Sequence, residues 1–398
     1  MTFMLVLGFC AVPGPLGCSW LRRDPVVTIP DVGLEAAIRE ALNKPEGDLY
    51  ASELGSSNFT VLDAPARGIQ DLVGLEYCTD LVVLILAANE ISDISPPANL
   101  PGLTVLILAD NQISDISPLV NLTNLTWLEL WGNQISDISP LANLTSLTSL
   151  GLWNNQISDV LPLANLTNLT FLALGENQIS DISALANLTS LTTLSLSENQ
   201  VNNISSLANL TSLTELGLMD NQISDISPLS NLTSLTTLSL SENQISDISS
   251  LANLTSLTEL GLGTNQVSDM SPLSNLSNLK QLALDSNQIT DVSALSDLTD
   301  LSAVWLDNNK IADISPLSDL IRMGEVEEDD PWLDERDGTK VSLGLRNNQI
   351  TDIKALVDNE GLSDGDGIDL RGNPLSSDSL NTYIPQLEAR GVNVLYDV

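Results

Sequence analysis

Histidine is missing altogether from the 398 residues, and only 14 Lys plus Arg stand against 52 Asp plus Glu, a formal charge of −38 at pH 7. Without imidazole there is no Ser-His-Asp or Cys-His catalysis and no histidine-ligated metal. So acidic a chain gains nothing by approaching phosphates, which excludes nucleic acid as a partner. Cys10, Cys18 and Cys78 are the only cysteines, too few for a disulfide framework. Aromatics are also scarce, 14 in total, so any place where they gather carries information. Hydrophobic residues make up 43% of the chain, enough to bury a core.

The apolar run Met4 to Val12 (MLVLGFCAV), closed by Pro13, Gly14 and Pro15, is too short to span a bilayer and has the length of a signal-peptide core, although no Lys or Arg precedes it. Leu16-Gly17-Cys18 is similar to the end of a bacterial lipobox, with Pro15 where that motif has Leu. The expectation is a leader over residues 1–18, with Cys18 as the candidate lipid attachment and the only link to a membrane. Two or three acyl chains there would anchor the protein stably, whereas one would not.

What dominates the sequence is a repeat. Asparagines recur every 22 residues at 89, 111, 133, 155, 177, 199, 221, 243, 265, 287 and 309. The unit starting at Leu144 reads LTSLTSLGLWNNQISDVLPLAN. Its L-x-x-L-x-L-x-x-N half predicts a short strand, and its I-x-D-x-x-P-L half a tight return. One unit cannot bury its leucines alone, but stacked units share a core. Leu62, Ala64 and Arg67 make a degenerate first repeat, while Asn348 and Asn373 continue the register after insertions of 17 and 3 residues, giving about fourteen repeats.

Both ends leave the repeat, as caps on a stacked array must. Asp31 is placed to N-cap a helix whose Leu34, Ile38, Ala41 and Leu42 share one face. Leu380 to Arg390 predicts a short helix broken by Pro385, and Gly391 to Tyr396 a last strand. The expected organisation is linker and helical amino-terminal cap over 19–58, repeats over 59–378, and carboxy-terminal cap over 379–398.

The 22-residue N-Q-I-S-D-I-S-P-L-A-N-L unit and the helical cap resemble the internalin type of bacterial surface leucine-rich-repeat protein, over about residues 27–398. The resemblance implies an α/β solenoid: a horseshoe with a parallel concave sheet, 3-10 or irregular convex turns and a helical amino-terminal cap. It also implies a binding scaffold without enzymatic activity or cofactor, at the cell surface or outside the cell. No immunoglobulin-like segment or wall-sorting signal follows the repeats, so a wall-anchored role in host invasion is not carried over. The period is similar to that of intracellular phosphatase-regulating leucine-rich proteins too, a branch the leader argues against.

Two columns look chemical but read better as scaffold. The repeated Asn satisfies backbone groups that the curving chain leaves unpaired. The repeated Asp (93, 115, 137, 159, 181, 225, 247, 269, 291 and 313, with Asn203 in one repeat) precedes a turn whose N–H groups it can cap, a reading preferred to a calcium ladder. The N-L-T triplets arise from the repeat and carry no separate glycosylation signal.

Positions six, four and two before each Asn face outward from the concave sheet and are free to encode a partner. There the sequence places Val83, Ile85, Val105, Ile107, Trp127, Glu129, Trp131, Trp153 and Phe171, and from Thr193 to Gly263 mostly Thr, Ser, Gly and Glu. Trp131 and Trp153 share a column in adjacent strands, with Gly151 leaving room beside Trp153. Exposed aromatics gathered on one face are the signature of a binding hot spot. The expected ligand is a protein or glycan and the chain itself a monomer; coverage by the cap or by a second copy, as in a self-associating envelope protein, is the other reading.

A second group, Trp305 with Arg346 and Arg371, lies toward the other end. Its arginines either hold a ligand carboxylate or sulfate, or neutralise the neighbouring Asp369. The insertion at 324–340, EVEEDDPWLDERDG at its centre, reads as a solvated acidic loop. The repeat sheet offers a broad surface and no obvious cleft.

Overall fold

The computed structural model describes residues 24–320, 322–324, 334–336 and 338–397. The proposed leader, Cys18 and residues 325–333 of the insertion lie outside the described residues.

Among the described residues the repeats form one parallel sheet of 15 strands. Each strand pairs with its counterpart one period away, so Trp127, Leu128 and Glu129 sit beside Ser149, Leu150 and Gly151. Fourteen strands come from the repeats, and the last, Asn393–Leu395, from the terminal cap. Alternation does the sorting: Leu150 and Leu152 point inward with Leu144, Leu147, Ile157, Val160 and Leu163, and all are essentially inaccessible. Substituting any of these leucines with Ala would cost about 2–5 kcal/mol.

The returns are short 3-10 turns such as Ser139–Leu141 and Ser227–Asn231. Each opens on the repeated Asp, whose Oδ1 accepts the backbone N–H two residues on at 2.8–2.9 Å; Asn203 does the same for Ser205. Hydrogen bonds from the serine that follows hold the carboxyls of Asp93, Asp137, Asp181, Asp225, Asp247, Asp269 and Asp313 below their ordinary range.

The Asn column ties coil to coil. Asn243 Nδ2 donates to the Leu218, Leu240 and Ser241 carbonyls at 2.9–3.1 Å, and its Oδ1 accepts the Ile223 N–H at 2.9 Å. A threonine ladder, which the sequence reading missed, adds a further tie: the hydroxyls of Thr126, Thr148, Thr170, Thr192, Thr214, Thr236 and Thr258 each donate to the carbonyl 22 residues earlier at 3.0–3.1 Å.

At the amino end, helix Val32–Ala41 is capped by Asp31 Oδ1, which accepts the Leu34 N–H at 2.9 Å. Its buried face is Leu34, Ala37 and Ile38; Ala41, expected there, is exposed. At the carboxy end a π-turn over Ser379–Tyr383 runs into helix Ile384–Glu388, where Pro385 is tolerated in the first turn. Cys78 is a buried core residue, and burial pushes its thiol up to about 12, so it is chemically quiet.

Candidate functional site

The repeat register delivers the predicted aromatics to one face. Val83, Ile85, Val105 and Ile107 are half-buried on adjacent strands, and the aromatics stand beyond them: Trp127 is 45% exposed, Trp153 39% and Phe171 38%, with Trp131 half-buried between. The Trp131 and Trp153 rings lie 6.4 Å apart, tilted by 57°, close to an edge-to-face contact.

Glu129 sits among them. Trp127 Nε1 donates to its Oε1 at 2.5 Å, and its half-buried carboxyl is raised by burial against the pull of that bond. The glycines act differently from the sequence reading. A Cβ at Gly151 would lie 1.8 Å from Glu129 Oε2, so Gly151 makes room for Glu129; a Cβ at Gly175 would lie 2.5 Å from Trp153 Cδ1, so Gly175 is the residue that lets Trp153 lie down. The side chain in each case leans onto the following strand, which strand order alone does not reveal.

Beside this patch runs an acidic stripe. Glu176, Glu198, Asp220 and Glu242 end successive strands in left-handed backbone, with φ between 48° and 57°. Single residues of this kind cost roughly 1–2 kcal/mol in isolation, and the stacked hydrogen bonds hold them there, as from the Asp220 N–H to the Ser241 carbonyl at 3.0 Å. Burial, then repulsion from Glu176, Asp220 and Glu242, raises the Glu198 carboxyl.

The second predicted group is built differently. Trp305, expected on an open face, is only 5% exposed. The insertion, expected as a loop, contains a hairpin in which Asp334–Arg336 pairs antiparallel with Thr339–Val341. Its Arg336 reaches back to the sheet, where Nη1 and Nη2 grip the two Asp307 oxygens at 3.0 and 2.9 Å and Nη1 also meets Asp369 Oδ2 at 3.1 Å. Arg371 closes on the same Asp369, through Nε at 2.8 Å and Nη2 at 2.7 Å. Burial works to raise the Asp369 carboxyl, but these two arginines outweigh it and hold it low. Arg371 therefore serves the internal neutralisation of Asp369. Arg346 stays exposed and gives only its backbone N–H to Asp307, at 2.7 Å.

The hairpin turns a flat sheet into a cleft, against the expectation that there is none. A cavity of about 390 Å³ is lined by Ala283, Asp285, Trp305, Asp307, Asn308, Arg336 and Arg346. Among the described residues no group of three or more Cys, Asp or Glu is placed to hold a metal, and no helix is long and apolar enough to cross a membrane.

Comparison with known proteins fits this architecture. The family model for leucine-rich repeats in two copies matches residues 79–121, 101–143, 123–165, 145–187, 189–231, 233–275 and 277–319. The crystal structure of an internalin of Listeria monocytogenes, InlF, is similar at 41% identity and a TM-score of 0.77, covering 83% of this chain and 94% of that one. Two further structures share the fold: a leucine-rich-repeat protein of Leptospira interrogans (24% identity, TM-score 0.64, 86% of this chain and 97% of that one) and the functional domain of InlJ from L. monocytogenes (21%, 0.64, 86% and 80%). No curated protein matches the sequence.

Proposed function

Because the chain belongs to the internalin type of leucine-rich-repeat proteins, we propose that it is a secreted or surface-attached binding module that holds a protein partner against Trp127, Trp131, Trp153 and Phe171. Proteins of this type are binding scaffolds. The observation that carries the finer reading is the gathering of four of the chain's 14 aromatics on one exposed face, with Val83, Ile85, Val105 and Ile107 extending it and Glu129 as its one carboxyl. Rigid aromatics supply contact area at little entropic cost.

The acidic stripe from Glu176 to Glu242 beside the patch favours a partner with an apolar centre and a basic flank, whose association would slow as salt is raised. Attachment through Cys18 belongs to the same proposal. The test is capture from extracts and on glycan arrays, by the parent and by a Trp127→Ser, Trp131→Ser, Trp153→Ser variant of equal melting temperature. Loss of a retained partner in the variant supports the proposal, and equal retention refutes it. Concentration-dependent mass that the variant abolishes would instead make the patch a contact between copies.

A further inference from the structure

We propose that the cavity under Arg336 is a binding site for a small zwitterion of dipeptide size, with its carboxylate on Arg346 and its ammonium on Asp285. The cavity occurs where the insertion interrupts the period, and its volume of about 390 Å³ falls toward the lower end of small-molecule sites. The proposal is independent of the aromatic patch.

The charges within it are unevenly committed. Asp307 is satisfied by both Arg336 nitrogens and by the Arg346 N–H. Asp285 and the Arg346 guanidinium take part in no ion pair among the described residues. Asp285, Asp307 and Arg346 occupy one column on three adjacent strands, so the two unpaired charges flank the paired one, with Cα atoms roughly 10 Å apart. The flexible Arg346 stem brings that separation within reach of a dipeptide, about 7 Å from ammonium to carboxylate.

Trp305 lines the cavity and is only 5% exposed, so its ring serves as a wall. The site therefore offers one guanidinium and one carboxylate beyond its internal pairs. A dianion would meet Asp285 and a chain of formal charge −38, and a bare cation would meet two arginines; a zwitterion satisfies both ends. Burial and the neighbouring Asp307 raise the Asp285 carboxyl, as befits an acid short of a cation.

The experiment is calorimetric titration of the full chain with alanylalanine, a zwitterion of the required span with small side chains. Saturable binding is expected, weakened roughly tenfold or more by acetylating the amine, by amidating the carboxylate, by Arg346→Gln and by Asp285→Asn, as for a lost charge-assisted hydrogen bond. Absence of saturable binding to the parent would overturn the proposal. So would affinities for the two blocked peptides equal to that for free alanylalanine, a comparison that needs no variant to fold.

Discussion

Two tryptophan-bearing regions of the concave sheet share one repeat register and end in opposite states. Around Trp131 and Trp153 the strands follow one another without interruption, and Trp153 is open to solvent with Trp131 half-buried against it, beside the half-buried Glu129 carboxyl. Around Trp305, which stands in the column of Glu129 and Gly151, the outward face is roofed by the hairpin, and the ring is buried among ion pairs. Register decides which way a side chain points; whether it meets solvent depends on the segments between coils. The first region is an open aromatic face, which suits the docking proposed above, and the second a partly roofed polar cleft.

The largest effect expected from breaking this contrast comes from Arg336→Ala, which leaves Asp307 buried without its cation. A destabilisation of about 3 kcal/mol is expected, confined to the strands around Ala303–Trp305 and Leu343–Gly344 because repeats couple chiefly to their neighbours. Faster hydrogen exchange there, with Trp305 newly open to acrylamide and the exchange near Trp131 unchanged, is the readout. Next, Asn243→Ala should cost about 1–3 kcal/mol in denaturant unfolding, since it strands buried carbonyls and the Ile223 N–H.

Smaller effects come from titration. Burial raises the folded pKa of Glu129 above its ordinary 4.5, so its stabilising contribution is present below that value and is lost as pH rises through the folded pKa. Glu129→Gln keeps an acceptor for Trp127, so it should raise the melting temperature at pH 7 and give no gain near pH 4. Smallest of all is Asp247→Asn. The Asp247 carboxyl lies below its ordinary 3.8, held there by Ser249, so its contribution is present above that value and is lost as pH falls through the folded pKa. Asparagine caps without titrating, as Asn203 already does. The variant should melt almost like the parent at pH 7 and lose less stability in acid.

Much of the fold was legible because a 22-residue period leaves few ways to bury its leucines, and the Asn and Asp columns announce hydrogen bonds that are local or one coil away. The outward positions of Trp127, Trp131, Trp153 and Phe171 followed from the same register. The roof over Trp305 did not. Its charge reads as solvation, and Arg336 finds Asp307 and Asp369 only after the chain has doubled back across strands that are 29 and 33 residues distant in sequence. Gly151 was assigned to Trp153 and Gly175 to nothing, because the direction in which Glu129 and Trp153 lean across the sheet is set by packing.

The most direct test of the central claim is to measure the affinity of one captured partner for the parent, for the Trp127→Ser, Trp131→Ser, Trp153→Ser variant, and for Arg336→Ala. If the open aromatic face is the docking surface, the triple variant should bind at least roughly thirtyfold more weakly, as for the loss of one or more hot-spot residues, with Arg336→Ala unchanged. The contrary result, full binding by the triple variant and loss in Arg336→Ala, would move the partner to the roofed end and contradict the account.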